Sequence, residues 1–503
     1  MNEGDGTEAV PGHVHQHEET FEPATLGATP SSADALETAP MSPVPPARIS
    51  AWPMWALGFV LLVDQMDQYI VRGMITPLEH HFHVGDFAIG LLTSSFILVN
   101  GIITLPAGYL ADRWHRTRTI GHTVLAWSGI TALGAAAPNF ASLVGLRAAL
   151  GFGQAVTEPS AASLIADYYP IEKRGLAFSI QQSMLFIGIG AGIGIGGFVS
   201  SRWGWRWGFL VAGFPGIAIA IMSYRLREPK RGVADRMHLG VTEDDTLDAD
   251  LSMPLFEHGF RRFLADMWDG LKADLRTIMS ITTMRYALIG IAVLQFTVVG
   301  ISTWLPQFYE RQLHVHQGRA EGVVGSLIVI GGIPGILLGG RFADYFNDKI
   351  RGARMALPAY CIMIGTTLFA ISFIHMPTAA VYVFQLLGLF IIVMSIPALR
   401  AGLTDALPAN LRGAGFGAFN VVSVVLGAAS APLVVSGLSQ IFNDNLRTAF
   451  LIVIPPVYVG AFVLLRARDH LEADTAKIFE AIMRAMQEAQ EREARDAEQQ
   501  QQP

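Results

Sequence analysis

The stretch PSAASLIADYYPIEKRGLAF (residues 159–178) recurs without gaps as PALRAGLTDALPANLRGAGF (residues 397–416). At the single offset of 238, Pro159, Asp167, Pro170, Arg174, Gly175 and Phe178 fall on Pro397, Asp405, Pro408, Arg412, Gly413 and Phe416. A second echo joins GYLAD (residues 108–112) to GRFAD (residues 340–344) at an offset of 232. Two matches at nearly one spacing mean a chain built from two related halves. In membrane proteins with such repeats, binding sites lie at the interface between halves near the bilayer midplane.

The composition puts this repeat in a membrane. Of 503 residues, 51% are hydrophobic and only 15% charged, too apolar for a soluble protein of this length. Apolar stretches long enough to cross a bilayer occur at roughly 52–74, 87–111, 119–137, 141–166, 175–200, 206–225, 284–308, 322–344, 355–374, 379–400, 413–439 and 447–466. The expected fold is an all-α membrane protein with twelve transmembrane helices in two pseudo-symmetric six-helix bundles, residues 51–226 and 284–468. Glycines and prolines inside the spans are tolerated because neighbouring helices and polar groups satisfy the freed backbone.

Basic residues set the orientation. Loops after even-numbered spans carry Arg113, Arg116 and Arg118, then Lys173 and Arg174, Lys230 and Arg231, Lys349, Arg351 and Arg354, and Arg412. Residues 79–86 and 138–142, in loops after odd-numbered spans, have none, and Arg202, Arg206, Arg311 and Arg319 are the exceptions. Both termini are therefore expected in the cytoplasm, with the protein in the cell (inner or plasma) membrane. Residues 1–50, rich in Pro, Glu, Thr and Ala, read as a disordered cytoplasmic tail in which His13, His15 and His17 form an incidental polar tract. Residues 227–283 form a linker. Its second half carries an apolar helical stripe (Phe256, Phe260, Phe263, Leu264, Met267, Leu271, Leu275, Ile278) that suits the cytoplasmic leaflet or the protein's own cytoplasmic face. Residues 469–503 read as a solvated helical tail.

The formal net charge of −7 lies mainly in the tails and linker and gives no reason to expect nucleic acid. The lone Cys361 excludes an internal disulfide and a multi-cysteine metal site, and no cofactor or metal is expected. The glycine-rich run GIGAGIGIGG (residues 188–197) sits within a span with no preceding strand, so it reads as helix packing and not as a nucleotide loop. Neither HExxH nor GxSxG occurs, which leaves no basis for an enzyme.

Function is written in the buried charges. Asp64, Asp67 and Arg72 interrupt the first span, WPMWALGFVLLVDQMDQYIVRGMI (residues 52–75). Each costs roughly 2.5 to 3.5 kcal/mol at a bilayer centre, so together they imply a polar path.

GYLADRWHRTR (residues 108–118) resembles the signature of the major facilitator superfamily, Gly followed four residues later by Asp-Arg and further basic residues. That resemblance implies that Asp112, Arg113 and Arg116 engage Asp167 to latch the halves in the outward-facing state. Asp344 belongs to a weaker second-half copy, with Tyr345 and Asp348 where the first half has Arg113 and Arg116. DQYIVRG from Asp67, RAALGFGQA (residues 147–155) and LREPKRG (residues 226–232) are similar to the Spinster transporters, which move sphingosine phosphate or lysophospholipids. This chain departs from that family at Gln68 and Gln154, where the family has Arg and Glu, as if a facing ion pair had been lost together.

The resemblance implies proton handling by Asp67, with Asp64 and Glu158 as further candidates, since neighbouring buried carboxylates cannot all ionise. Arg72, Arg147 and Arg400, with Gln68 and Gln154, are candidates for an anionic head group, because a guanidinium matches phosphate oxygens. A latch or internal ion pair is the alternative for each arginine. The expected function is a proton-coupled, alternating-access secondary transporter, a monomer, carrying an amphipathic anionic lipid. An organic-anion symporter or multidrug exporter of the same fold and a non-transporting membrane receptor are the alternatives.

Overall fold

The computed structural model describes residues 50–111, 115–169, 171–229, 260–347, 349–350, 352–407 and 418–500. The expected tail up to residue 49, linker residues 230–259 with Phe256, Asp112, Arg113, Asp348 and residues 408–417 lie outside these. So do the side chains of Asp344, Asp405, Phe260, Phe263, Leu264, Met267 and Leu271.

The described chain is helical throughout. In the first half, α1 (Trp52–Ile70) runs through a 3-10 turn (Val71–Gly73) into the short α2 (Ile75–Phe82). Then come α3 (Asp86–Ala111), α4 (Arg116–Gly134), α5 (Phe140–Gln154), α6 (Thr157–Tyr168), α7 (Ile171–Trp203) and α8 (Trp205–Tyr224). The linker contributes α9 (Phe260–Ser280). The second half has α10 (Thr282–Gln312), α11 (Arg319–Asn347), α12 (Ala353–Ser372) and α13 (Thr378–Asp405). A helix from 418 follows, with a π-turn at Ser423–Ala428, then α14 (Ala431–Ile441), α15 (Leu446–Val453) and α16 (Pro455–Gln500).

With α5–α6, the helix from 418 through α14, and α15–α16 each taken as one crossing, these form the twelve transmembrane helices. Ten are apolar enough along a full window to be recognised by hydropathy alone. The other two are α1, which carries Asp64 and Asp67, and α4, which begins with Arg116 and Arg118. They fall short because those charges lower their hydropathy.

Packing reveals the two-fold relation. Within the first half α1 lies on α7 and α8, α3 on α5, and α4 on α8. Within the second, α10 lies on the π-turn segment and α16, α11 on α13, and α12 on α16. These are the same pairings six spans on. Between halves, α7 meets α11 and α3 meets α14, which are again symmetry partners.

The glycine run of α7 explains how one helix serves both neighbours. A Cβ added at Gly192 would sit 2.5 Å from the Met66 oxygen of α1, and one at Gly190 would sit 2.5 Å from the Gly325 oxygen of α11. Successive glycines face opposite ways, so both backbones approach closely.

On α9 the only stripe residues with described side chains are Leu275, exposed, and Ile278, buried against Met284 and Ala287. Arg261, Arg262, Lys272 and Arg276 are exposed. On the side of the termini, Asp474 of α16 accepts from the Thr283 N–H and hydroxyl, both at 2.9 Å, tying the long terminal helix to the start of α10.

Candidate functional site

The buried charges of α1 and the turn after it meet Thr131 of α4, Arg147 and Gln154 of α5 and Ser302 of α10. Asp67 is 1% exposed, and its Oδ2 accepts from Thr131 Oγ1 at 2.8 Å and Gln154 Nε2 at 2.9 Å. Arg147 Nη1 stands 3.4 Å from Asp67 Oδ1, while its Nη2 donates to the backbone oxygens of Asp67 and Gln68 at 3.1 and 3.3 Å. Arg147 thus anchors the last turn of α1 to α5 by charge and by backbone. One helical turn away, Asp64 Oδ2 accepts from Gln65 at 3.1 Å and Gln68 at 2.9 Å, and its Oδ1 is buried with no partner among the described residues.

Arg72 faces the other way. Its Nη1 donates to Ser302 of α10 at 2.7 Å, its guanidinium lies 4.0 Å from the Tyr69 ring centre, and its Nε is buried without an acceptor. A small cavity lies between α1, α3 and α5, lined by Gln68, Val71, Arg72, Thr93, Phe96 and Arg147. Two buried guanidiniums, one aromatic face and an unpartnered Thr93 hydroxyl therefore share one space. Two guanidiniums suit an anionic group, in a space that here holds about one water.

Of the residues singled out in the sequence, the structure brings together Asp64, Asp67, Gln68, Arg72, Arg147 and Gln154. Gln68 and Gln154 do not face one another: each bonds a different α1 carboxylate, because one turn of α1 separates Asp64 from Asp67. Glu158 is exposed but lies within Coulombic reach of Asp64, and Arg400 is exposed on α13. Thr131, Thr93, Phe96 and Ser302 join the site without having been anticipated.

At the face bearing the termini, Arg116 pairs with Asp167 and with Glu228 at 2.8 Å, and donates to Ser163 and to the Pro229 oxygen. Ser163 and Asp167 belong to the first half, and Glu228 and Pro229 open the linker just past α8, so the cluster ties α4 and α6 to the start of the linker. Burial works against the Glu228 charge, but the Thr117 N–H and Arg116 hold its carboxyl below the ordinary 4.5. A carboxyl lowered on folding stabilises the fold above its ordinary value, and that support is lost as pH falls through the folded one. Glu228→Gln should therefore lower thermal stability near neutral pH by the equivalent of about 1 to 2 kcal/mol. The gap from the native protein should close progressively below about pH 4.5. A gap that stays constant with pH would disprove this role.

The polar contacts described between the halves lie toward the opposite, far face. Arg311 of α10 grips Asp86 of α3 through both nitrogens, at 2.7 and 2.8 Å, and reaches Glu79 at 3.0 Å. Thr76 donates to Glu310 at 2.7 Å. The Arg311–Asp86 fork is bidentate, the geometry of a strong charge-assisted pair. The halves are latched at the far face, an arrangement in which access to the central site would come from the side of the termini.

Comparisons with known proteins agree with this architecture. Residues 57–432 match the model of the Major Facilitator Superfamily. Protein spinster of Drosophila melanogaster is 22% identical over 81% of this chain and 66% of its own length. The niacin transporter NiaP of Acinetobacter baylyi is 25% identical over 79% of this chain and 89% of its own. A crystal structure of a bacterial homolog of the human lysosomal transporter Spinster, inward-facing and unoccupied, superposes with a TM-score of 0.64 at 19% identity, covering 86% of this chain and 98% of that one. The chain belongs to the Major Facilitator Superfamily, resembles the Spinster proteins within it, and is a multi-pass membrane transporter and not an enzyme.

Proposed function

We propose that this transporter is proton-coupled and moves an amphipathic anionic lipid, such as a lysophospholipid or sphingosine phosphate, by alternating access. The observation that carries the reading is the cavity shared by Arg72, Arg147, Phe96 and Val71, one turn from two buried carboxylates. In this account Arg72 and Arg147 receive the head group, with Gln68 and Gln154 as polar neighbours and Arg400 met on the way in. Asp67 carries the proton, assisted by Asp64 and Glu158. Binding an anion at Arg147 competes with Asp67 for the same guanidinium, so substrate arrival favours protonation of Asp67, which is coupling in its simplest form.

Asp112, Arg113, Arg116, Asp167 and Asp344 then act in gating on the side of the termini. The termini lie in the cytoplasm, the protein works as a monomer in the cell membrane, residues 51–226 and 284–468 are the rocking bundles, and 227–283 joins them.

A second reading is a symporter of small organic acids, favoured by the likeness to a niacin transporter. One experiment separates them. Purified protein in liposomes loaded with a pH-sensitive dye should shift the internal pH when lysophosphatidic acid is added, and not when niacin is. A response to niacin alone would favour the second reading, and a response to neither would refute proton-coupled transport of both classes.

A further inference from the structure

A second set of buried acids lies at the far face, away from the α1 carboxylates. Glu310, at the end of α10, and Glu321, in the first turn of α11, lie close enough to act on one another. One oxygen of each is already engaged. Glu310 Oε2 accepts from Thr76 of the other half at 2.7 Å, and Glu321 Oε2 accepts from the Gly318 N–H at 2.5 Å. The remaining oxygens, Glu310 Oε1 and Glu321 Oε1, are buried and meet no donor among the described residues.

Glu321 is 0% exposed and lies against Gly197 of the other half, where an added Cβ would come within 2.4 Å of Glu321 Cβ. An ionised carboxylate can only accept. Two ionised carboxylates repel strongly in so dry a place, whereas a proton on Glu321 removes that repulsion and turns its orphaned oxygen into a donor.

The pattern repeats beside it. Glu79 and Asp86 also lie close enough to act on one another. Both oxygens of Asp86 and the Oε2 of Glu79 receive Arg311, and Glu79 Oε1 is buried without a partner. Burial, then the contact with Asp86, pushes Glu79 up to about 9 in spite of Arg311.

Among the described residues, the charges facing these four carboxyls are Arg311 and, acting on Arg311, Asp444. Arg319 of α11 acts on Tyr382, and His314 and His316 lie in the α10–α11 connection. Acids outnumber the one guanidinium that bonds them.

We propose that the far-face seal is a proton-binding site. Closing the halves holds one proton on Glu321, beside Glu310, and another on Glu79, beside Asp86, and opening hydrates the two glutamates and releases both. The idea rests on the alternating-access reading, but it requires neither the lipid substrate nor Asp67. A carboxyl whose value is raised in the closed state favours that state at low pH, and the preference is lost as pH rises through the raised value. Acid on the far side thus shuts the far gate.

The test uses full-length protein in nanodiscs without substrate. Spin labels go on Trp203→Cys and Ile374→Cys, exposed at the far ends of the two halves, in a Cys361→Ser background. The ratio of short to long inter-label distances is followed from about pH 5 to about pH 9. Two linked protons allow this ratio to fall by up to about a hundredfold per pH unit.

Glu321→Gln and Glu79→Gln should each remove about one tenfold step per unit, and together leave the ratio nearly flat. A double variant that keeps more than half the native slope overturns the proposal. Should the variants fail to fold, the infrared carbonyl band of protonated carboxyls in the native protein decides. It must be present near neutral pH and fade by about pH 10, and its absence equally overturns the proposal.

Arg311→Ala distinguishes the two levels of the argument. If it lengthens the distance while the Gln variants behave as native, the proton site is wrong. If no variant and no pH changes the distance, alternating access itself is wrong.

Discussion

Asp67→Asn should abolish substrate-driven proton movement and lower the stability of the folded protein by about 3 to 5 kcal/mol. The amide would bring a donor into a site where Thr131, Gln154 and Arg147 already donate to the carboxylate. Arg147, 3% exposed, would keep its charge without a counter-ion. Removing one partner of a buried pair is costly because the other stays charged, whereas replacing both with apolar residues is often tolerated. Asp67→Leu with Arg147→Met should therefore recover most of the lost thermal stability and none of the transport. Recovery of transport in the double variant would show that the pair is architectural and that the proton travels elsewhere.

Substitutions in the α7 glycine run should split by direction. Gly192→Val presses on Met66 within one half and should cost about 1 to 3 kcal/mol of thermal stability. Gly190→Val presses on Gly325 across the interface between halves, so a comparable strain should appear mainly in the open–closed balance. That corresponds to a shift of about five- to a hundredfold toward far-face opening, with little loss of melting temperature. Equal destabilisation by both, without a conformational shift at Gly190, would mean that α7 and α11 never separate. Thermal denaturation and inter-half distance measurements check the two halves of this prediction.

Much of the fold was legible because membrane spans and a duplicated half leave plain marks in hydropathy and spacing. The charges in the first span stood out for the same reason, since each is expensive in hydrocarbon. The partners were not legible. Thr131, Thr93 and Ser302 are ordinary residues in apolar helices, and only the packing of α1 against α3, α4, α5 and α10 shows that they face charge or cavity.

The far-face seal was hidden differently. Glu79, Asp86, Arg311 and Glu310 sit where charged loop residues are expected in solvent, and Arg311 registered only as an exception to the count of basic residues. An unpaired-looking arginine at the far face, opposite a loop holding acids and no Lys or Arg, was the available signal. Glu228 illustrates the same limit at the other face: Asp167 was named through the superfamily resemblance, while nothing in LREPKRG marked its glutamate as a second partner of Arg116.

The central claim is that the site among α1, α3 and α5, which Arg72 ties to Ser302 of the other half, opens to alternate sides. Gln68→Cys, in the Cys361→Ser background, places a thiol on the wall of the central cavity. Labelling by a membrane-impermeant thiol reagent, applied to one side of oriented vesicles at a time, measures access directly. The account predicts reaction from the side of the termini in the otherwise native protein, and from the far side once Arg311→Ala breaks the seal. Protection from both sides in both proteins, or labelling from the far side while the seal is intact, would contradict it.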